Sequence, residues 1–444
     1  MPKFFLLAFA LSFCLAAGSA CEKAGSESEE GAAAGGSSEE GGELSSLDKA
    51  AALRALSFAL RDAPPDRDTA KAFAAGEKSL ETLRGEWLAS PEHRERVGRF
   101  FHDAFGTKRW PEATFGAKAL VLDARGWYQS SDNFPQCSNA ADVEQVEVWW
   151  GQAGETAAVC KLADCGPYAL RCSLVAHRPA LMDAIRFEFR DRGLYVYGEN
   201  LGWDELYLKP FVYGNRLLLH KYFLDSEFFT SQNHGFKADA ARQRQLLDLL
   251  FAVPLDQAIR TEWPAFGAER AGLVTAPAFL QRFNNFRSRI RALSQGLLCQ
   301  DIGSWMNPTG LTGFVNQTSL SAFDLDHGGK TACASCHLGL DNWGSTLLGW
   351  SDQGSWQWWK SWSQEGAVWG TTGEGPSFLM QSILGAQENF HSCMAFKAWN
   401  DFSQGKPWDQ LSGAEQERLL AAAAAGPKPL LDAIFREEAL IMTR

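Results

Sequence analysis

Residues Cys333-Ala334-Ser335-Cys336-His337 place two thiols with two residues between them and an imidazole directly after the second. This is the C-x-x-C-H attachment pattern of c-type haem. The chemistry needs these residue types at this spacing. Two thiols add across the two vinyl groups of the porphyrin as thioethers. The intervening residues set the separation of the sulfurs, and the adjacent histidine reaches the iron through a ring nitrogen. With ten cysteines and eight histidines among 444 residues, composition alone would produce the pattern about 0.004 times per chain. Structural zinc would ask for a second ligand pair of comparable spacing, and no second Cys-x-x-Cys exists. A thioredoxin-like redox pair would sit in a strand–helix context, which the flanking residues do not offer. The pattern reads as one covalent haem c held through Cys333 and Cys336, with His337 as the proximal iron ligand.

A second axial ligand would decide what such an iron does. The candidates are Met306 and His327 upstream, and Met380, His391 and Met394 downstream. Distal methionines of small cytochromes lie tens of residues beyond the attachment histidine, which favours Met380 or Met394; Met380 is the first choice. Against each stands a plain alternative. Met380 lies close to Phe378, Leu379 and Ile383, a core setting, and His391 sits near Cys393 where it would cap a helix. Trp343, Trp350, Trp356, Trp358, Trp359, Trp362 and Trp369 crowd the same part of the chain. They read as packing for a Gly-rich region, as a wall that keeps water from a macrocycle, or as a platform for a flat ligand. Asp324-Leu325-Asp326-His327-Gly328 lacks the acidic ligand that closes a calcium loop.

The N-terminus fits the same setting. Lys3 precedes an apolar run over 4–15 that is too short for a permanent membrane span. Small residues then lead to Cys21. Residues 1–21 read as an export signal with two endings. One is cleavage by an ordinary signal peptidase. The other, favoured here, is a lipoprotein in which Cys21 carries the lipid, although Gly18 stands where a lipobox usually has Leu. Residues 22–43 contain only Glu, Gly, Ser, Ala and one Lys. They have no apolar bulk to bury, so 22–45 reads as a flexible tether. The expected location is the periplasm, the outer membrane or the cell surface, with a lipid anchor as the membrane contact. Net charge is −11 with no basic block, which argues against nucleic acid as a partner. Apart from Cys14, Cys21 and the haem pair, six cysteines remain: Cys137, Cys160, Cys165, Cys172, Cys299 and Cys393. An even remainder in an exported chain is compatible with three disulfides. The first four are close enough in sequence to staple one local region. Cys299 and Cys393 flank the haem pattern and are candidates to pair across it, while the connectivity stays open among 15 pairings.

The expected fold is mainly α and multi-domain. Leu53, Leu56 and Leu60 recur at helical spacing, Pro64 and Pro65 end that helix, and further patterns run through Leu83 and Trp87 and through Val97, Phe100 and Phe101. Residues 46–106 are thus an N-terminal helical domain. Residues 107–200, rich in Pro, Gly and Cys, read as a disulfide-stapled insert with a short sheet. Val146 and Val148 indicate one strand and 194–197 another. A helical domain over 201–298, a Trp-rich haem c region over 299–376 and a C-terminal helical domain over 377–444 complete the division.

Several separated stretches share one further pattern. They are Ala271-Gly272-Leu273-Val274 leading through Arg282, Phe283 and Arg287 to Leu298-Cys299; the haem pentapeptide with Leu340-Asp341; and Phe390, Cys393 and Ala395 with 399–405. Together with the helices from Leu53 to Phe105, they resemble the planctomycete-type cytochrome c proteins, multi-domain exported proteins also found in myxobacteria. Asn342 follows Asp341 where that family usually has Pro, and 107–200 has no counterpart. The resemblance covers about two thirds of the chain. It implies a mainly helical fold around a single haem c in the cell envelope, and it names neither a substrate nor a distal ligand.

These readings point to electron transfer in the bacterial envelope, with a redox partner protein or a partner enzyme. Two alternatives stay open. One is a haem-dependent oxidoreductase of peroxidase or oxygenase type with an open iron position. The other is an envelope binding or scaffold protein whose haem is structural. Neither a Ser-His-Asp arrangement nor a phosphate loop is legible, so no catalytic residue is assigned.

Overall fold

A computed structural model describes residues 46–103, 118–131, 136–225, 239–264, 269–283, 285–300, 340–350, 365–369, 371–403 and 406–437. The fold is mostly helical, with small sheets. It begins with four helices: α1 (Ser46–Arg61), α2 (Arg67–Ala74), α3 (Leu80–Leu88) and α4 (Pro91–Asp103). Their starts follow from local chemistry. Asp66 and Ser79 cap α2 and α3 by accepting the amides of Thr69 and Thr82, which removes an orphan donor from each first turn. Pro91 opens α4, where a missing N–H costs nothing. Leu53, Leu56, Leu60, Leu83, Val97 and Phe101 turn inward.

These helices share a core with the end of the chain: α14 (Gln387–Phe402), α15 (Gly413–Ala425) and α16 (Pro427–Arg436). The Phe402 ring lies 5.6 Å from Phe100 and 5.0 Å from Phe435. Arg96 on α4 donates to the Asp401 carboxylate at 2.6 Å and lies 4.3 Å over the Phe402 ring. His93 reaches the Leu60 carbonyl and the Tyr197 hydroxyl, each at 3.3 Å. Burial then holds its imidazole neutral, with a pKa down to about 4.

A five-stranded sheet follows: β1 (Lys118–Leu122), β2 (Tyr128–Ser130), β3 (Val143–Glu147), β4 (Thr156–Cys160) and β5 (Cys172–Leu174), in the spatial order β3-β4-β2-β1-β5. β1–β2 and β3–β4 are antiparallel, while β2–β4 and β1–β5 are parallel. Cys137 stands at disulfide distance from Cys160, and Cys165 from Cys172. The sheet docks on α8 (Arg216–Phe223) through Trp149. That indole stacks on His220 at 3.6 Å and donates to the Cys172 carbonyl at 2.9 Å. Arg216 adds hydrogen bonds to the carbonyls of Gly151 at 2.5 Å and Trp149 at 3.3 Å.

The sheet ends earlier than the insert expected over 107–200. Helices α5 (Arg178–Arg186) and α6 (Glu188–Gly198) take over, and 194–197, expected as a strand, form the last turn of α6. Tertiary packing overrides the β-branched and aromatic preference of that run. Phe189, Gly193 and Val196 face inward at helical spacing, and a Cβ on Gly193 would stand 2.2 Å from the Phe101 ring of α4.

The remaining elements make up the middle and later parts of the described chain. They are α7 (Trp203–Tyr207), the antiparallel pair β6 (Phe211–Gly214) and β7 (Ile259–Glu262), α9 (Ala240–Ala252), α10 (Pro277–Arg282) and α11 (Phe286–Leu297). Beyond them lie α12 (340–344), the hairpin β8 (Glu365–Val368) with β9 (Thr371–Glu374), and α13 (Gly375–Gly385). Among the described residues, no helix is long and apolar enough to cross a membrane.

Gly193→Ala should lower stability by about 1–3 kcal/mol through overpacking, outweighing the better helix propensity of alanine. An unchanged urea midpoint would show that α4 and α6 separate freely. His220 yields a pH dependence. Burial drives its folded pKa down to about 3 from an ordinary 6.5, so in that window the unfolded chain binds a proton that the folded chain refuses. Its contribution to stability is present above pH 6.5 and is lost as pH falls toward 3. Denaturation measured across that range should be less pH-dependent in His220→Asn than in the wild type; parallel curves would contradict a neutral His220.

Candidate functional site

Cys333, Cys336 and His337 lie outside the described residues, as do Met306, His327, Cys21 and the tryptophans at 356, 358, 359 and 362. What the structure describes is the frame on either side of them, and α11 is its centre. Asn285 caps α11 by accepting the Ser288 amide, and the Ser288 hydroxyl completes a reciprocal box. Arg289, one turn in, is fully buried and spends its guanidinium on three carbonyls: Phe283 at 2.9 Å, Leu280 at 3.1 Å and Trp350 at 2.9 Å. Arg287 grips Asp341 with two parallel hydrogen bonds of 2.6 and 3.0 Å, the fork geometry that suits a carboxylate. Residues 340–350 are thereby fastened to α11 at two points.

The other end of α11 is fastened as well. Cys299 stands at disulfide distance from Cys393 on α14, closing a separation of 94 residues. Lys397, one turn further along α14, donates to the Gly296 carbonyl at 2.7 Å. A cation at the C-terminal end of α11 is favoured by the exposed carbonyl dipoles there, while burial brings its pKa down to about 8. Residues 299–300 and residues 340–350 are therefore both fastened to α11.

Small residues let 340–350 pack tightly. A Cβ on Gly344 would stand 2.2 Å from the Phe286 ring, and one on Gly366 2.5 Å from the Asn342 carbonyl oxygen. Ser345 donates toward the carbonyls of Asn342 and Glu365 at 2.9 and 2.6 Å. Trp343 and Trp350 are buried core side chains, and Trp343 meets the partly exposed Trp369 edge-on at 4.9 Å. Met380 on α13 and Met394 on α14 are both buried in the main core. His391 is half-buried beside Phe390, and desolvation lowers its pKa. Among the described residues, no group of three or more His, Cys, Asp or Glu side chains is placed to hold a metal ion.

A second cluster escaped the sequence reading. Glu188 opens α6 and is buried, and Tyr222 on α8 donates its hydroxyl to it. Arg192, one turn along α6, donates to the carbonyls of Phe211, Glu205 and Lys209 at 2.6 to 2.7 Å. Lys221 and Asp225 form a buried pair at 2.5 Å. Burial raises the Glu188 pKa to about 7, against the opposing pull of Tyr222 and Arg192, and burial also raises Asp225. The signal in the sequence is slight: charged residues four apart, Glu188 with Arg192 in a charged stretch and Lys221 with Asp225 around an apolar one.

Compared with protein-family models, with curated proteins and with solved structures, the chain matches none.

Replacing both Cys299 and Cys393 by Ala should cost about 2–5 kcal/mol, because the cross-link closes a long loop. Guanidinium unfolding checks this. Equal stability of variant and wild type would mean that Lys397 and the surrounding core hold α11 to α14 unaided.

Proposed function

We propose that this protein is a c-type cytochrome of the bacterial cell envelope that transfers electrons through one covalent haem. The observation that carries the reading is the pentapeptide at 333–337, whose two thiols and imidazole are the donor set of that cofactor. The paired cysteines fit it. The six described cysteines pair with one another, so none of them competes for Cys333 or Cys336. Cysteines that pair outside the haem pattern also suit an exported chain, because disulfides persist in oxidising compartments.

Cys333 and Cys336 would hold the haem and His337 would ligate its iron. The bound group would supply a one-electron iron couple. The chain's part is to fix the surroundings. Arg287 and Arg289 anchor the segment that follows His337, and the Cys299–Cys393 link anchors the segment that precedes Cys333. Met380 remains our first choice for a distal ligand and Met394 the second. Cys21 would carry a lipid that holds the protein at a membrane, with 22–45 as the tether through which it reaches a redox partner. The likeness to planctomycete-type cytochrome c proteins belongs to this proposal.

The test is the absorption spectrum of protein made with a haem-attachment system, ferric and ferrous, with and without carbon monoxide. We expect haem that survives acid–acetone extraction and is lost in Cys333→Ala with Cys336→Ala. A low-spin spectrum indifferent to carbon monoxide supports an electron carrier, and a methionine charge-transfer band abolished in Met380→Ala assigns the distal ligand. Haem that binds carbon monoxide readily would replace electron transfer by the open-iron oxidoreductase. No retained haem would overturn the proposal.

A further inference from the structure

Tyr222 is 1% exposed, and its hydroxyl donates to Oε1 of Glu188, itself 2% exposed. The guanidinium of Arg270 covers the Tyr222 ring at 4.2 Å, the Trp263 ring at 4.3 Å and the Trp350 ring at 4.8 Å. It is held there by hydrogen bonds to the carbonyls of Thr275 at 2.7 Å and Tyr222 at 3.1 Å. The rings of Tyr222 and Trp263 are 5.9 Å apart, centre to centre. Three oxidisable rings thus gather around one cation, and one of them has a carboxylate on its hydroxyl.

We propose that Tyr222 and Glu188 form a proton-coupled electron-donor site, with Trp263 and Trp350 as the rings through which the electron leaves. In the step, the phenol O–H bond breaks and its proton passes to Oε1 of Glu188, making a carboxylic acid. One electron leaves Tyr222 for a one-electron oxidant, and a neutral tyrosyl radical stays behind. The charge of the pair rises from −1 to zero, matching the electron lost. The reverse step restores phenol and carboxylate.

Two physical arguments decide which ring keeps the hole. A tryptophan oxidised without losing its proton is a cation, and Arg270 beside it makes that state costly in a medium of low polarity. Tyr222 gives up its proton and becomes neutral, so Arg270 does not penalise it. The interior also offers Tyr222 no route to a bare phenolate, since burial raises its pKa well above the usual value. Burial strengthens Glu188 as a base in the same way, with a pKa up to about 7. Electron and proton therefore leave together. The electron acceptor of the step is a strong one-electron oxidant from outside the pair, and the inference goes beyond the haem reading of 333–337 and does not depend on it.

The experiment uses the full-length protein and photogenerated tris(bipyridine)ruthenium(III), with a cobalt(III) acceptor to trap the flash electron, so its result is independent of haem content. We expect a long-lived tyrosyl signal in electron paramagnetic resonance that narrows when tyrosine is ring-deuterated. In the wild type, high-field spectra should show the g-shift of a hydrogen bond to the phenoxyl oxygen, with an exchangeable proton coupling from protonated Glu188. The signal should vanish in Tyr222→Phe. It should also be lost in Glu188→Gln, which can accept the hydrogen bond but cannot take the proton. A tyrosyl signal undiminished in either variant, a wild-type radical with no exchangeable coupling, or a tryptophan radical in the wild type would overturn the proposal. The wild-type spectra decide the matter even if a variant fails to fold.

Discussion

Buried arginine side chains reaching backbone carbonyls are the interaction on which this structure rests. A fold made of many short helices and turns leaves carbonyl groups inside that no helix or sheet ladder can use, and each would be costly if left without a donor. Arg289 and Arg192 each satisfy three such carbonyls, and Arg216 and Arg270 satisfy others. The planar guanidinium suits the task, because its several N–H groups point in fixed directions and its charge is weakly hydrated. A lysine offers a compact point charge instead, and the one fully buried lysine among the described residues, Lys221, is paired with a carboxylate.

The same arginines determine which parts of the chain are neighbours. Arg289 joins α10, α11 and the end of 340–350, and Arg270 joins α8 to Trp263 and Trp350. Arg96 joins the first helices to the last. Several of these contacts span long stretches of sequence, 305 residues for Arg96 to Asp401 and 61 for Arg289 to Trp350. The described residues that border 301–339 are fastened too, Asp341 and Trp350 to α11 by arginines and Cys299 to Cys393 of α14 at disulfide distance.

The buried carboxylates follow from that arrangement. Glu188 and Asp225 sit among cations that were brought inside to serve carbonyls, and the balance of charge needs anions nearby. Tyr222 then meets Glu188 at the start of α6, because α8 packs on α5, the helix just before it. A polar cluster of this kind is coupled, so the protonation of one member alters the others.

Much of the helical pattern was legible before any coordinates. Leu53, Leu56 and Leu60 mark α1, Pro64 and Pro65 stop it, and Leu83 with Trp87 and Val97 with Phe100 and Phe101 mark α3 and α4, because apolar periodicity and proline geometry act over a few residues. Val146 lies on β3 for the same reason. The donor set at 333–337 is also a property of the sequence alone, since covalent attachment depends on residue types at fixed spacing. Other features belonged to the tertiary structure. Residues 194–197 have the composition of a strand, yet the close approach of Phe101 to Gly193 keeps them helical. The Cys299–Cys393 pair, the reach of Arg289 to the Trp350 carbonyl and the meeting of Tyr222 with Glu188 all join residues distant in the chain. Local preference carries no information about such pairs, because their energy comes from burial and from hydrogen bonds that exist only once the helices have packed.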